Sequence, residues 1–117
     1  MILQDLTYIT GLAFLLTHEL DAIHRREWRF FFGPISVRDA TARATFVGLH
    51  APLFALILWR FDAPGFRTGV SIFLLVHAGL HWALRNHPLV DFNNWFSRTW
   101  IYGAALLGGA HLWLVSH

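Results

Sequence analysis

Four long apolar stretches, separated by short polar segments, make up most of this chain. They predict helices at about 2–28, 37–60, 66–85 and 95–115, each near the roughly 20 residues that cross about 30 Å of hydrocarbon. Strands are not expected, because the stretches are long and do not alternate between apolar and polar residues. Residues 1–117 are therefore predicted to form one all-α domain, an antiparallel bundle of four transmembrane helices.

The composition favours an integral membrane protein whose partner is the lipid bilayer. Of the 117 residues, 56% are hydrophobic and 14% are charged, whereas about one quarter of the residues in an average soluble domain are charged. All nine basic residues are arginines, and they lie between the apolar stretches. They form no single basic face of the kind that binds nucleic acid, so nucleic acid is not an expected partner. Anionic lipid headgroups are the expected counter-charge.

The arginines also predict an orientation. The first loop and its flanks carry four of them, the second loop two and the third loop two. In chain order these are Arg25, Arg26, Arg29 and Arg38, then Arg60 and Arg67, then Arg85 and Arg98. The positive-inside rule places the first and third loops in the cytoplasm and both termini outside, as in a multi-pass protein of the bacterial inner membrane. Four short helices enclose little interior, so a homodimer or a place in a larger membrane complex is also expected.

The chain has eight histidines and no cysteine. Any transition metal would therefore be bound by imidazole and carboxylate groups. Ionisable groups at the edge of hydrocarbon are costly unless they are paired, and they often mark a functional site. On the first helix, His18, Asp21 and His24 fall within an arc of about 120°, while Glu19 points away from Asp21. Two histidines on either side of an aspartate can chelate a metal. The simpler interpretation pairs Asp21 with Arg25 one turn later.

The third predicted helix contains an i, i+4 pair, His77 and His81, which places two imidazoles over one helical turn. Because the first and third helices end on the same side of the membrane, we expect these rings to meet His18. His50 would add a nitrogen if a kink at Pro52 brings it close; otherwise it would bond to a free carbonyl. The predicted metal ligands are therefore His18, Asp21, His24, His50, His77 and His81.

Three functions are compatible with these residues. The first is a metal-dependent enzyme for an apolar or lipidic substrate, with Zn²⁺ or Fe as the metal and Glu19 or Asp21 as the general base. The second is an electron carrier that binds haem b between two histidine pairs. Those pairs would be His18–His77 and His50–His111. The third is a structural or accessory membrane subunit without a cofactor, in which the imidazoles only form hydrogen bonds.

Three histidine-containing runs stand out: HELDAIHRREWR at 18–29, HAGLH at 77–81 and HPLVDFNN at 87–94. In these runs the chain resembles small, uncharacterised bacterial membrane proteins of four helices and unknown function. The resemblance spans most of the chain; it implies the membrane fold and no particular activity. HAGLH is also similar to the histidine boxes of membrane hydroxylases and desaturases, but those enzymes have further boxes, including HxxHH, that this sequence lacks.

Overall fold

The computed structural model describes residues 2–33 and 37–117. In chain order the described residues form α1 (Ile2–His24), α2 (Trp28–Phe32), α3 (Asp39–Gly48), α4 (His50–Arg60), α5 (Pro64–Ala83) and α6 (Trp95–Ser116). This described part of the chain contains no strand, so the prediction of an all-α fold is confirmed.

Two of the four predicted helices are divided in the structure. The predicted helix 2–28 ends at His24, and the short helix α2 follows it. The predicted helix 37–60 is interrupted at Leu49, which separates α3 from α4. Pro52 explains this second break, because proline has no N–H to donate to the carbonyl four residues earlier.

A tight turn ends α1 and reverses the chain. The amide of Glu27 donates to the carbonyl of Ala22 at 3.0 Å, and the amide of Arg26 donates to the carbonyl of Ile23 at 3.2 Å. This pair of bonds is the Schellman arrangement, which requires a left-handed residue that is most often glycine. Here Arg26 takes that conformation, with φ of 60°. As a result, Glu27, the residue after Arg26, lies back against the end of α1.

Helix α6 packs along both α1 and α5, which contact each other less. One cluster of buried apolar residues includes Tyr8, Leu12 and Leu74, and a second includes Trp28 and Ile101. Small residues permit this close approach. A Cβ atom on Gly108 would lie 2.9 Å from the carbonyl oxygen of Ser71.

Helices α3 and α4 together form a segment that differs from the packed helices. Among the described residues, Asp39–Arg60 is the one helical segment long and apolar enough to cross a membrane, judged by length and composition. Most of its side chains face outward, and Ile57 is the only buried residue in α4. An apolar surface of this kind is costly in water and stable in lipid, so the segment weakly indicates association with a membrane.

Candidate metal centre

Three imidazoles meet between α1 and α5. His18, His77 and His81 each offer a nitrogen, and these three atoms lie within 4.8 Å of one another. The ring centroids are 4.7 Å apart for His18 and His77, 4.9 Å for His18 and His81, and 4.5 Å for His77 and His81. The i, i+4 spacing places two rings on one side of α5, and α1 supplies the third. The predicted convergence of these three histidines is confirmed.

His18 is buried without a hydrogen-bond partner in the described part of the chain. Its side chain is 0% exposed, and among the described residues neither ring nitrogen has a hydrogen-bond partner. Leaving a buried polar group unsatisfied costs about 1–3 kcal/mol. Phe92 packs against the rings of His18 and His81, and Phe73 stacks on the ring of His77. Three imidazoles in an apolar setting fit a divalent transition metal, which would bind the free nitrogens.

Glu27 contributes a carboxylate that the sequence-based prediction missed. Its Oε2 atom lies 3.8 Å from Nε2 of His18 and 3.8 Å from Nε2 of His81. Glu27 belongs to the turn between α1 and α2, outside the long helices. Burial there raises the pKa of its carboxyl to about 7, with a further contribution from the Glu19 carboxylate. Helical periodicity ends before Glu27, so no spacing rule could place it beside His18.

A cavity of about 110 Å³ opens beside the cluster. It is lined by Glu27, Phe30, Phe31, His77, Leu80, His81, Leu84 and Val90. His18 is not part of this lining and therefore lies behind the other two histidines as seen from the cavity. Helix α2 contributes two phenylalanines to the wall. A small or narrow apolar group could thus reach the histidines of α5.

The structure places Asp21, a predicted ligand and general base, in a different network. Its Oδ2 atom accepts a 2.5 Å hydrogen bond from the hydroxyl of Ser97 in α6. Its Oδ1 atom lies 3.4 Å from Nε of Arg25, the pairing that the simpler interpretation expected. Asp21 is buried, and it connects α1 to the first turn of α6. His24, another predicted ligand, is exposed at the end of α1 and does not join the cluster.

Glu19 and His50 pair with each other. Oε2 of Glu19 lies 2.5 Å from Nε2 of His50, while Nδ1 of His50 donates to the carbonyl of Phe46 at 2.8 Å. The carbonyl of Phe46 can only accept, so Nδ1 of His50 carries a proton. A second proton therefore lies between Nε2 of His50 and Oε2 of Glu19, which both face this short contact. The pair links α1 to α4. His50, predicted as a ligand, and Glu19, predicted as a base, thus lie outside the histidine cluster.

The histidine pairs of the haem alternative are not arranged to hold a haem. The rings of His18 and His77 contact each other directly, and His81 contacts both, so no gap for a porphyrin separates them. In the second pair, His50 binds Glu19, whereas Nδ1 of His111 lies 2.8 Å from the hydroxyl of Ser71. That buried contact joins α5 to α6.

Comparison with known proteins identifies a family. Residues 4–117 match the model of a family described as a family of unknown function, DUF6713. No curated protein and no solved structure matches the chain. The chemistry therefore has to be inferred from the site itself.

Proposed function

The chain belongs to the DUF6713 family, whose function is unknown, and we propose that it is a membrane protein in which His18, His77 and His81 bind a divalent transition metal. One observation carries the proposal: imidazoles from two helices meet, and the innermost of them has no hydrogen-bond partner among the described residues. A purely structural histidine would be expected to have one. The metal centre therefore accounts for the cluster better than a role in packing alone.

The ligand chemistry favours Zn²⁺ or Fe. Imidazole suits both metals, and the chain has no cysteine with which to build a thiolate site. A metal held by His18, His77 and His81 would supply Lewis-acid activation of a water molecule or a substrate oxygen. The protein's own contribution is to hold the three rings in a dry setting against Phe92 and Phe73.

The cavity suggests the class of substrate. Apart from Glu27, His77 and His81, its lining is entirely apolar, from Phe30 and Phe31 in α2 to Val90 before α6. Such walls favour an apolar molecule, or the apolar part of a lipid, over a sugar or nucleotide. We therefore propose a metal-dependent reaction on an apolar or lipidic substrate that enters from the bilayer.

A membrane location agrees with the surface. Besides Asp39–Arg60, the packed helices carry apolar side chains that are more than half exposed, such as Leu6, Val76 and Leu106. In the proposed arrangement four helical segments cross the bacterial inner membrane and both termini lie outside. The metal centre then lies near the cytoplasmic side. The same exposed surface would serve a homodimer or a larger membrane complex.

The proposal is tested by the metal content of protein purified in detergent, after growth with Zn²⁺ or Fe. We expect about one metal ion per chain in the wild type and almost none in the double variant His77→Ala/His81→Ala. The matched control is His24→Ala/His117→Ala, which removes two exposed imidazoles and should leave the metal content unchanged.

Two outcomes would contradict the proposal. The first is a wild-type protein that binds neither Zn²⁺ nor Fe²⁺ on titration, which would support the structural alternative. The second is an absorbance spectrum with a Soret band, which would support the haem alternative.

A further inference from the structure

Glu27 is the carboxylate that lies beside the histidine cluster in the described part of the chain. Resting on the proposed metal centre, we infer that Glu27 is its fourth protein ligand. Oε2 of Glu27 is 3.8 Å from a nitrogen of His18 and 3.8 Å from a nitrogen of His81. The same oxygen is buried and has no hydrogen-bond partner among the described residues. Oxygen and nitrogen atoms that lack partners thus face one another, as the donors of a metal site do before the metal binds.

The separations from His18 and His81 are close to those of a metal site, although Glu27 is not one of the three residues whose ligand atoms all lie within 4.8 Å of one another. Ligand atoms about 2.0 Å from a tetrahedral zinc ion lie about 3.3 Å from one another. Oε2 of Glu27 therefore needs to approach each nitrogen by only a few tenths of an ångström. The distances are also too long for hydrogen bonds, so the carboxylate is not explained as an acceptor for His18 or His81.

The backbone holds Glu27 in this position. Its amide bonds to the carbonyl of Ala22, and its own carbonyl accepts from the amide of Phe30 at 2.9 Å. The neighbouring Arg25 lies next to Asp21 and Asp91. Among the described arginines, none lies within 4.0 Å of the Glu27 carboxylate. The side chain is therefore fixed beside the histidines without a cation of its own.

A fourth ligand at Glu27 has two chemical consequences. A carboxylate lowers the net charge of a buried divalent site from two to one, which reduces the cost of burying it. Glu27 also lines the cavity together with His77 and His81, while His18 lies behind them. The metal would therefore lie at the wall of the cavity, where an exogenous molecule could approach it.

The test is a Co²⁺ titration of the detergent-purified protein, because Co²⁺ occupies zinc sites and its visible absorption reports the ligand set. We expect Glu27→Gln to weaken Co²⁺ binding at least roughly tenfold and to change the spectrum. Asp62→Asn is the control, since it removes an equal charge from an exposed carboxylate that lies beside Arg67, before α5 and away from the histidines. It should keep both the affinity and the spectrum of the wild type.

A rescue variant separates ligation from packing. Glu27→His offers another ligand atom, and we expect it to restore binding to within about tenfold of wild type, with the spectrum of a four-nitrogen site. Circular dichroism shows whether each variant remains helical, and if Glu27→Gln does not fold, Glu27→His decides. The inference is overturned if Glu27→Gln binds Co²⁺ like the wild type, or if a folded Glu27→His variant restores nothing.

The same experiment distinguishes this inference from the proposed function. If wild-type protein binds no Co²⁺, the metal centre itself is refuted. If wild-type protein binds Co²⁺, the variant His77→Ala/His81→Ala does not, and Glu27→Gln is unaffected, the metal centre stands. In that case the role assigned to Glu27 is wrong.

Discussion

Ser97 donates a 2.5 Å hydrogen bond to Asp21 across the interface of α6 and α1. Asn94 caps α6 by accepting from the amide of Ser97 at 2.8 Å, so the carboxylate lies next to the first turn of that helix. The positive end of the helix dipole stabilises a negative charge there. Arg25 lies next to the other oxygen of Asp21. Asp21 therefore joins two helices, although its spacing on α1 also fits a metal ligand.

Replacement of Ser97 by alanine tests the structural role of Asp21. We expect Ser97→Ala to lower the free energy of unfolding by about 1.5–3 kcal/mol, because a buried carboxylate loses its donor. Metal content should stay at the wild-type level. Chemical unfolding in detergent and metal analysis of the same sample measure both quantities. Loss of metal without loss of stability would show instead that Asp21 belongs to the metal site.

The pair of Glu19 and His50 gives a second prediction, because it links α1 to the largely exposed α4. A double-mutant cycle with Glu19→Ala and His50→Ala should give a coupling energy of about 0.5–3 kcal/mol. Hydrogen exchange in α4 should become faster in each single variant. A coupling energy near zero, with exchange unchanged, would mean that the contact does not hold α4 in place.

Glu27 should make the stability of the metal-free protein depend on pH. Its pKa is raised from 4.5 to about 7 in the folded chain. The folded protein therefore keeps a proton that the unfolded chain has lost between these values. The contribution of this proton to the free energy of unfolding is fully present below about pH 4.5 and is lost as the pH rises through about 7. Unfolding at several pH values in the presence of a chelator should show this decline in the wild type and a smaller one in Glu27→Gln.

Helix contact at Gly108 gives a fourth prediction. A Cβ there would lie 2.9 Å from the carbonyl oxygen of Ser71, so Gly108→Ala should cost about 1–3 kcal/mol by overpacking. Gly69 in α5 is the matched control, because a Cβ there meets nothing within 4 Å. Gly69→Ala should leave stability unchanged or raise it by about 0.5–1 kcal/mol. Equal effects of the two substitutions would contradict the close packing of α5 and α6.

Much of the secondary structure follows from the sequence because helical patterns are local. The apolar stretches predicted four long helical segments, and all four predicted boundaries of α5 and α6 lie within two residues of the structure. The break at Leu49 was implied by Pro52. The end of α1 at His24 was not predicted, because the left-handed turn falls on Arg26 and not on the usual glycine.

The sequence by itself determined the all-α class and the i, i+4 pair of His77 and His81, since residue spacing alone sets which side chains share a helix face. Only the tertiary structure decided which carboxylate lies beside the histidines. Asp21 is bound to Ser97, 76 residues away, and the turn at Arg26 brings Glu27 to His18 instead. Contacts between distant residues depend on how helices pack and how the chain reverses, and helical periodicity contains no information about either.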